Sequence, residues 1–545
     1  MQQQFVRLCI TIILGFCCQL FFVSCENNRN KHEAGLKIFR YNEASGINSL
    51  DPAYAKDLPH IWACNQLYNG LVSMDKQLNV VPSIAKSWLI SSDGLTYTFH
   101  LRNDVFFHHH TLFPDSSRRV VASDFYYSFN RLMKRETASP GSWIFNAVAI
   151  DSGFYSFHAL NDTTFQIKLS SSFPPFIEML TMTYASVVPR EIVEHFGTDF
   201  RKNPVGSGPF KFQYWKEGVK LVLRKNEHYF ETEQGKRLPL LDAVSISFLN
   251  DKQTAFMEFA KGELDFMSGI DARYKDEILT RDGLLKAKYA DRIKLYKEPY
   301  LNTEYLGILV DPEKHNSLTD KWLRQAINYS IDRRKLIRFL RNGIGIPGHS
   351  GIIPSGLKGY DSLLSIGYQY NPEKARQLMA QFGPIEKKIT LTTTADYVDV
   401  CKYIQAQLSE TGINIELEIS PAATMREMRA KSELTFFRAS WVADYPDAEN
   451  YLSLFYSKNK SPDGPNYTHF ESKVFDSIYL HTMSIYNVDE RKELYRMLDS
   501  IVMEDAPVVV LYYDEVLRFV NQRVKNLGSN PINLLDLRTT DIQLN

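Results

Sequence analysis

Residues 81–108 read VPSIAKSWLISSDGLTYTFHLRNDVFFH, and a regular alternation runs through this stretch. In residues 97–101, Tyr, Phe and Leu alternate with Thr and His. Because successive side chains of a strand point to opposite faces, this pattern predicts a strand with one buried face. Residues 165–169 and 413–419 alternate in the same way, so they predict two further half-buried strands.

Two consecutive helices are predicted further along the chain, each with an acidic residue placed to cap its first turn. A carboxylate at this position accepts hydrogen bonds from the free amides of the first turn. Asp320 precedes the first helix, whose buried face carries Leu323, Ala326, Ile327 and Ser330. Asp332 precedes the second helix, whose buried stripe is Leu336, Ile337 and Leu340. Residues 436–441 predict another strand, and the interleaving of strands with helices predicts a mixed α/β chain.

The composition is that of a large globular protein. A length of 545 residues predicts three or four domains at about 150 residues each. A hydrophobic content of 44% and a charged content of 23% exclude disordered and low-complexity chains. Lys and Arg number 63, as do Asp and Glu, so no basic field is available for nucleic acid. Aromatic residues make up 13%, which predicts either a large core or an aromatic-lined groove.

The N-terminus has the pattern of an export signal. Arg7 is followed by an apolar run from Leu8 to Phe22, which is short for a membrane span. Residues 22–25, FVSC, resemble the lipobox of bacterial lipoproteins, in which a cysteine is acylated after cleavage. We therefore predict a signal peptide at residues 1–24, a lipidated Cys25 and a polar tether at residues 25–35. An ordinary cleavage site nearby and an uncleaved anchor are the alternatives.

Removal of the signal peptide leaves two cysteines besides Cys25. Cys64 and Cys401 lie far apart, with no CxxC or Cys/His spacing around them. Two buried thiols are therefore predicted, and neither a disulfide framework nor a metal site is expected from them.

Enzyme motifs match this chain poorly. Residues 348–351, GHSG, lack the G-x-S-x-G spacing of a nucleophile elbow. Residues 206–211, GSGPFK, lack the third glycine of a dinucleotide loop and the Lys-Ser/Thr ending of a phosphate loop. Residues 108–110 are three histidines, whose side chains point to opposite faces of an extended segment and do not converge on one ion. The sequence predicts a tight turn at the glycines, a polar loop at the histidines, and no catalytic residues, metal or cofactor.

The loop after the strand at residues 436–441 is the leading candidate for a binding site. Trp441 and Tyr445 flank Asp444 there, and a carboxylate between aromatic faces suits an organic ammonium group. Asp444, Asp447 and Glu449 also form an acidic group that suits either acid–base chemistry or a solvated loop.

Short motifs are distributed along nearly the whole chain after residue 48: SLDP (49–52), QLYNGL (66–71), the 81–108 stretch, PVGSGPF (204–210), GELD (262–265), LRQA with IDR (323–333) and EDAPV (504–508). Together these segments resemble a known family, the extracellular solute-binding proteins of oligopeptide and dipeptide ABC importers. Residues 107–110, FHHH, depart from the Phe-His-Asp-Gly turn that is common in the family.

The resemblance implies a two-lobed α/β fold of the periplasmic-binding-protein type II class, with an additional α+β domain and a hinge between the lobes. By this resemblance, lobe I is discontinuous and comprises residues 36–60, 204–300 and 505–545. The additional domain, attached to lobe I, comprises residues 61–203, and lobe II comprises residues 301–504.

The resemblance also implies a binding site in the cleft between the lobes. Members that bind peptides hold the ligand backbone as an added strand, and an Asp pairs with the terminal ammonium. That role falls on Asp444, which would be bordered by Trp441, Val442, Ala443 and Tyr445. Small residues of lobe I, which allow close approach of a ligand backbone, are expected to face the cleft; they are Ala44, Ser45, Gly46, Gly206, Ser207 and Gly208.

The predicted function is that of an exported, lipid-anchored, monomeric receptor with no enzyme activity. It would capture short peptides and deliver them to the permease and ATPase subunits of an ABC importer. A receptor of the same fold for a metal chelate, haem or another small solute is the main alternative. A sensory receptor and a metallohydrolase that uses the histidines are further alternatives.

Overall fold

A computed structural model describes residues 35–271, 274–314, 317–357, 366–385 and 387–544. The predicted signal peptide and the lipidated Cys25 lie outside these residues, as does the predicted tether up to residue 34. Within the described residues, no helix is long and apolar enough to cross a membrane. Cys64 and Cys401 are both buried and free, as predicted.

The strands and helices alternate along the chain. The strands are β1 Ile38–Asn42, β2 Val72–Met74, β3 Val80–Pro82, β4 Ala85–Ile90, β5 Thr96–Leu101, β6 Ile150–Asp151, β7 Phe154–Tyr155, β8 Phe157–Asn161, β9 Thr164–Lys168, β10 Phe210–Lys216, β11 Lys220–Lys225, β12 Thr232–Glu233, β13 Lys236–Arg237, β14 Ala243–Ser247, β15 Phe266–Ser268, β16 Ile293–Ile308, β17 Ile346–Pro347, β18 Ile389–Thr393, β19 Ile415–Ile419, β20 Phe436–Val442, β21 Val508–Asn521, β22 Val524–Lys525 and β23 Asp541–Ile542. The helices are α1 Leu58–Leu67, α2 Ala122–Met133, α3 Phe176–Met179, α4 Arg190–Phe196, α5 Lys252–Lys261, α6 Lys275–Ile278, α7 Ala287–Ala290, α8 Lys321–Tyr329, α9 Arg333–Leu340, α10 Pro372–Phe382, α11 Val398–Ser409, α12 Ala422–Ala430, α13 Glu449–Leu452, α14 Lys473–Thr482 and α15 Val488–Asp505.

The strands and helices predicted from sequence are present. Strands β5 and β9 bury their apolar residues, and the side chain of Asp320 accepts hydrogen bonds from the amides of Trp322 and Leu323 at the start of α8. Asp332 caps α9 in the same way. The strand predicted at residues 413–419 begins at Ile415, and Ile419 is 58% exposed, so its buried face does not extend to its end.

One large sheet connects two halves of the molecule. Its strand order is β10-β11-β14-β1-β15-β21-β16-β20-β18-β19, and β17 pairs with β21 outside this path. Strands β10, β11, β14, β1 and β15 belong to one half, called lobe I, and β20, β18 and β19 belong to the other, called lobe II. The central strands β16 and β21 are the longest of the sheet and run through both lobes.

The crossing between the lobes is marked by an irregular pairing of β16 with β21. Pro299 pairs with Glu515 on the lobe I side, and the next regular pair is Thr303 with Tyr513. Residues 300–302 therefore lie opposite Asp514 alone. Residues 508–513 of β21 pair with residues 303–307 of β16, and residues 515–521 pair with residues 293–299. The lobe boundaries given from sequence stay predictions.

A separate four-stranded sheet, in the order β4-β5-β9-β8, lies within residues 61–203. Helix α2 covers it with closely packed rings, among which Phe129 contacts Phe145, Phe157 and Phe165 at centroid distances of 4.6–5.6 Å. The apolar core of this unit is continuous with that of lobe I. Much of the high aromatic content is therefore core.

Candidate binding cleft

The irregular segment of β16, where the strand passes between the lobes, is hydrogen-bonded to the loop that follows β20. The amide of Leu301 donates to the carbonyl of Pro531 (2.8 Å). Its carbonyl accepts from the amide of Ala443 (2.9 Å) and from the hydroxyl of Tyr451 (2.7 Å). Because these bonds replace regular pairing, the adjacent Tyr300 is free to line the space between the lobes.

A cavity of about 290 Å³ lies where the three units meet. We call it the smaller cavity. Lobe I, the domain at residues 61–203 and the loop after β20 in lobe II all contribute to its lining, which includes Asp57, Leu58, Trp143, Tyr184, Tyr300, Val442, Ala443, Asp444, Ile532 and Leu534. A pocket with mainly apolar walls and a few polar groups is typical of a ligand site.

Asp444 supplies a carboxylate to this cavity. Water in the open cleft reaches its side chain, yet the surrounding walls desolvate it enough to raise its pKa above the ordinary value, an effect opposed by a hydrogen bond with the side chain of Asn450. Within the described part of the chain, no cationic side chain forms an ion pair with Asp444. A ligand cation would restore the ionised form of this carboxyl group.

Asn450 fixes the loop that carries Asp444. Its buried side-chain oxygen accepts from the backbone amide of Asp444 (3.3 Å) and from the indole nitrogen of Trp441 (2.8 Å). Trp441 thus supports the loop and is outside the lining of the smaller cavity.

Asp57 and Tyr184 line the smaller cavity together with Asp444. Asp57 caps α1 through the amide of His60 (3.3 Å), and its carboxylate also contacts the His60 ring. Tyr184 lies near both carboxylates, and burial, with the charges of Asp444 and Asp57, raises the pKa of its phenol to about 12. The lining therefore contains the carboxylates of Asp57 and Asp444, and the exposed Lys56 contributes a cation next to Asp57 in the chain.

A second cavity of about 510 Å³ adjoins the first, and Leu58 and Tyr300 line both. We call it the larger cavity. Its polar edge includes Glu43, Ala44 and Ser45 from the loop after β1. Its apolar wall consists of Trp62, Phe256, Leu264, Phe266, Met267 and Leu517.

The predicted site residues divide between the cavities and the interior. Val442, Ala443 and Asp444 line the smaller cavity, and Ala44 and Ser45 line the larger one. Gly46 lines neither. Tyr445 is buried, with its ring 6.4 Å from that of Trp143, and its hydroxyl donates to Glu449.

The acidic group at residues 444–449 is split by the fold. Asp447 pairs with Arg491 (3.0 Å), and Glu449 accepts from the hydroxyls of Tyr445 and Tyr479. Burial raises the pKa of Glu449 to about 7. Only Asp444 of the three lines a cavity, so the group offers no paired carboxylates for acid–base chemistry in the cleft.

The turn at residues 206–208 is buried away from both cavities. A Cβ on Gly206 would lie 2.0 Å from the carbonyl oxygen of Leu67, and the amide of Gly208 donates to that same oxygen (2.9 Å). Ser207 is 1% exposed. The small residues of this turn therefore allow close packing against the end of α1, and in this structure they do not face the cleft.

His108 holds the turn in place. The three histidines lie outside any helix or strand, as predicted for a loop, but His108 is buried while His109 is exposed and His110 half-exposed. The ring of His108 is buried, with Nδ1 accepting from the amide of Gly206 (3.3 Å) and Nε2 donating to the carbonyl of Gly208 (3.0 Å). Burial lowers the pKa of this ring to about 4, so the neutral form is retained. His109 is exposed. Among the described residues, no group of His, Cys, Asp and Glu is arranged to hold a metal ion.

Two lobes joined by two long central strands, with cavities at their junction, define the architecture of a type II periplasmic binding protein. The family model for bacterial extracellular solute-binding proteins, family 5 Middle, matches residues 79–463. The chain belongs to this family, as the sequence motifs indicated.

Relatives with different ligands in their names share this architecture. A dipeptide-binding protein of Escherichia coli is 25% identical, with 86% of this chain and 87% of the relative covered. Heme-binding protein A of Haemophilus influenzae is 26% identical, with 86% and 85% covered. The structure of DppA from Helicobacter pylori in complex with the peptide STSA has a TM-score of 0.74 and 24% identity, over 94% of this chain and 99% of that one.

Sequence reasoning missed several lining residues. Asp57 begins the sequence Asp-Leu-Pro, which is typical of a helix cap. A capping role explains an acidic residue at this position, so the sequence gives no reason to place Asp57 in a cavity. Tyr184 and Trp143 come from the domain at residues 61–203, and Tyr300 comes from the irregular pairing of β16. No local pattern marks these three residues, because their place in the cleft depends on how the units pack.

Proposed function

We propose that this protein is an exported, lipid-anchored receptor that captures short peptides and delivers them to the membrane subunits of an ABC importer. It performs no chemistry on its ligand. The observation that carries the proposal is the carboxylate of Asp444 in a cavity between the lobes, without a cationic partner among the described residues. The terminal ammonium of a peptide supplies that partner.

The surroundings of Asp444 suit an ammonium group. Trp143, Tyr184 and Tyr300 provide aromatic walls, which attract cations and exclude water. The loop itself is held by Asn450 and by the bond from Ala443 to Leu301, so the carboxylate is positioned before a ligand arrives. A preorganised charge binds with a smaller loss of conformational entropy.

The long strands β16 and β21 provide the means of closure. Their irregular pairing at residues 299–303 lies between the lobes, where a small change in backbone angles would bring lobe II toward lobe I. A ligand that contacts both lobes binds the closed form more tightly and shifts the population toward it. The closed form would then dock on the importer.

The test compares wild type with Asp444→Asn by calorimetry, using free and N-acetylated forms of the same tri- and tetrapeptides. Asparagine keeps the shape and removes the charge. Loss of one partner of a buried charge pair costs about 3 to 5 kcal/mol, so the free peptide should bind about 150- to 5000-fold more weakly. The N-acetylated peptide should bind both proteins equally weakly.

Asp463→Asn is the matched control, because it removes an exposed carboxylate from the same lobe. It should leave both affinities unchanged. Equal affinity of wild type for free and N-acetylated peptides would contradict the pairing of Asp444 with the terminal ammonium. Native mass spectrometry of the purified protein provides an independent test, since co-purified haem or a metal chelate in place of peptides would favour the alternative receptor.

A further inference from the structure

The larger cavity contains one carboxylate that the fold leaves without a cation. Three of its acidic residues have partners: Asp271 contacts Lys252 (3.1 Å), Asp514 contacts Arg341 (2.6 Å) and Glu515 contacts Lys297 (3.4 Å). Glu43 accepts a hydrogen bond from the amide of Ser45 (3.2 Å) and, among the described residues, forms no ion pair.

The surroundings of Glu43 disfavour its ionised form, so a nearby cation would stabilise the carboxylate. Burial raises the pKa of its carboxyl group, and the nearby charge of Asp57 raises it further. His60, which would oppose this effect when protonated, is already engaged by Asp57 and by the side chain of Asn48 (2.8 Å). A cationic group placed beside Glu43 would therefore meet a carboxylate that forms no ion pair among the described residues, and the charge of Asp57 would attract it as well.

Part of the lining of the larger cavity is apolar. Trp62 is buried, its indole nitrogen donates to the carbonyl of Asn533 (2.9 Å), and its ring lies 5.7 Å from that of Phe266. With that polar atom satisfied, the rings offer a hydrocarbon surface. Long side chains with a charged end bury their methylene groups on such a surface while the charge stays at the edge.

The two cavities are adjacent, close enough to share lining residues. Leu58 and Tyr300 line both, and Asp57, next to Leu58, lies on the smaller cavity while its charge reaches Glu43 in the larger one. A peptide whose ammonium contacts Asp444 can therefore extend a side chain past Tyr300 toward Glu43.

We propose that the larger cavity receives a lysine or arginine side chain of the bound peptide, with Glu43 as the specificity-determining residue. This inference rests on the proposed function, because it assumes a peptide held at Asp444. Aliphatic carbons of the side chain pack against Trp62 and its neighbours, and the terminal cation pairs with Glu43. The receptor is thus selective for peptides with a basic residue at one position.

The experiment measures affinities for tri- and tetra-alanine peptides in which each position in turn is lysine, norleucine or glutamate. Norleucine keeps the hydrocarbon chain of lysine and lacks the charge. At one position, lysine should bind about 10- to 100-fold more tightly than norleucine, the range for a hydrogen bond to a charged group. Glutamate should be the weakest there.

Glu43→Gln should reduce the lysine-to-norleucine ratio at that position to about 3 or less and leave the norleucine affinity within about threefold of wild type. Glu217→Gln, which removes an exposed carboxylate of lobe I outside both cavities, should keep the full ratio. Added salt should lower the lysine-to-norleucine affinity ratio of wild type, because it screens the charge pair. The smaller ratio of Glu43→Gln should not change with salt.

The outcomes separate this inference from the proposed function. If alanine peptides bind through Asp444 but lysine and norleucine are equivalent at every position, the basic-residue inference is overturned and the peptide receptor stands. A preference that survives in Glu43→Gln also overturns it. If no peptide binds at all, the proposed function fails and this inference fails with it.

Discussion

The loop at residues 441–450 and the turn at residues 204–210 look alike as sequence motifs, yet the fold uses them in opposite ways. Both contain small residues beside aromatic ones, and both were predicted to face the cleft. The loop presents Val442, Ala443 and Asp444 to the smaller cavity. The turn is buried against Leu67 and held by His108. A small residue allows another backbone to approach closely. The motif does not distinguish the backbone of a ligand from the backbone of another part of the protein.

The largest effect on stability is expected at the buried turn. Gly206→Ala would place a Cβ 2.0 Å from the oxygen of Leu67 and 2.6 Å from the ring of Tyr68. Because the nearer atom belongs to the backbone, the end of α1 must move, and we expect a loss of about 3 kcal/mol or more in the free energy of unfolding. Denaturant titration measures it.

Gly46→Ala is the control from the other lobe I loop that was predicted to face the cleft. Its backbone has a φ of +73°, but a Cβ there meets no atom within 4 Å. The conformational cost alone is about 1 kcal/mol. If the two variants lose equal stability, close packing does not explain the turn.

A smaller loss is expected for His108→Leu, because the amide of Gly206 then loses its ring partner while the carbonyl of Gly208 keeps the side chain of Asn226 (2.9 Å). A buried donor without a partner costs about 1 to 3 kcal/mol. His109→Leu, next in sequence and exposed, should change stability by no more than about 0.5 kcal/mol. Similar losses in the two variants would contradict the role of His108.

The stability difference between wild type and His108→Leu should also depend on pH. The pKa of His108 is about 4 in the folded protein and about 6.5 when unfolded, so the unfolded chain binds more protons between these values. The advantage of wild type is complete above pH 6.5 and is lost as pH falls toward 4. Unfolding of both proteins at pH 7 and pH 5 tests this; a constant difference would argue against a neutral, buried ring.

The smallest effect concerns protons released on binding at the loop. Desolvation raises the pKa of Asp444, and pairing with an ammonium would lower it, so binding of a free peptide releases protons as pH approaches that raised pKa. Calorimetry at pH 5 in two buffers of different ionisation enthalpy measures the release. Asp444→Asn should lack this component, and equal release in the variant would assign the protons elsewhere.

The fold was largely predictable because its signals are local. Asp320 and Asp332 cap the helices that they precede in sequence, and residues 97–101 alternate in the strand they form. The resemblance of the motifs to a known family then predicted the two-lobed arrangement. The boundary between the lobes at residues 504 and 505 stays a prediction, because β21 is a continuous strand whose Val and Tyr residues carry no mark of a change of lobe.

The site was predictable only in part. The position of Asp444 in the lining of a cavity was predictable, because a carboxylate between two aromatic residues is a local pattern. The side chains of Trp441 and Tyr445 lie outside that lining and form hydrogen bonds with Asn450 and Glu449. Tyr300 and Glu43 have no such pattern. They reach the cleft because β16 is irregular at the hinge and because the loop after β1 ends beside α1.

The sequence by itself determined the elements, the class of fold and the acidic residue at the centre of the loop, since each depends on neighbours within a few positions. The tertiary structure decided which small residues meet a cavity, which histidine is buried, and which carboxylates lack a cation. Those properties depend on atoms brought from distant parts of the chain, and burial changes the free energy of a charge far more than its sequence neighbours do.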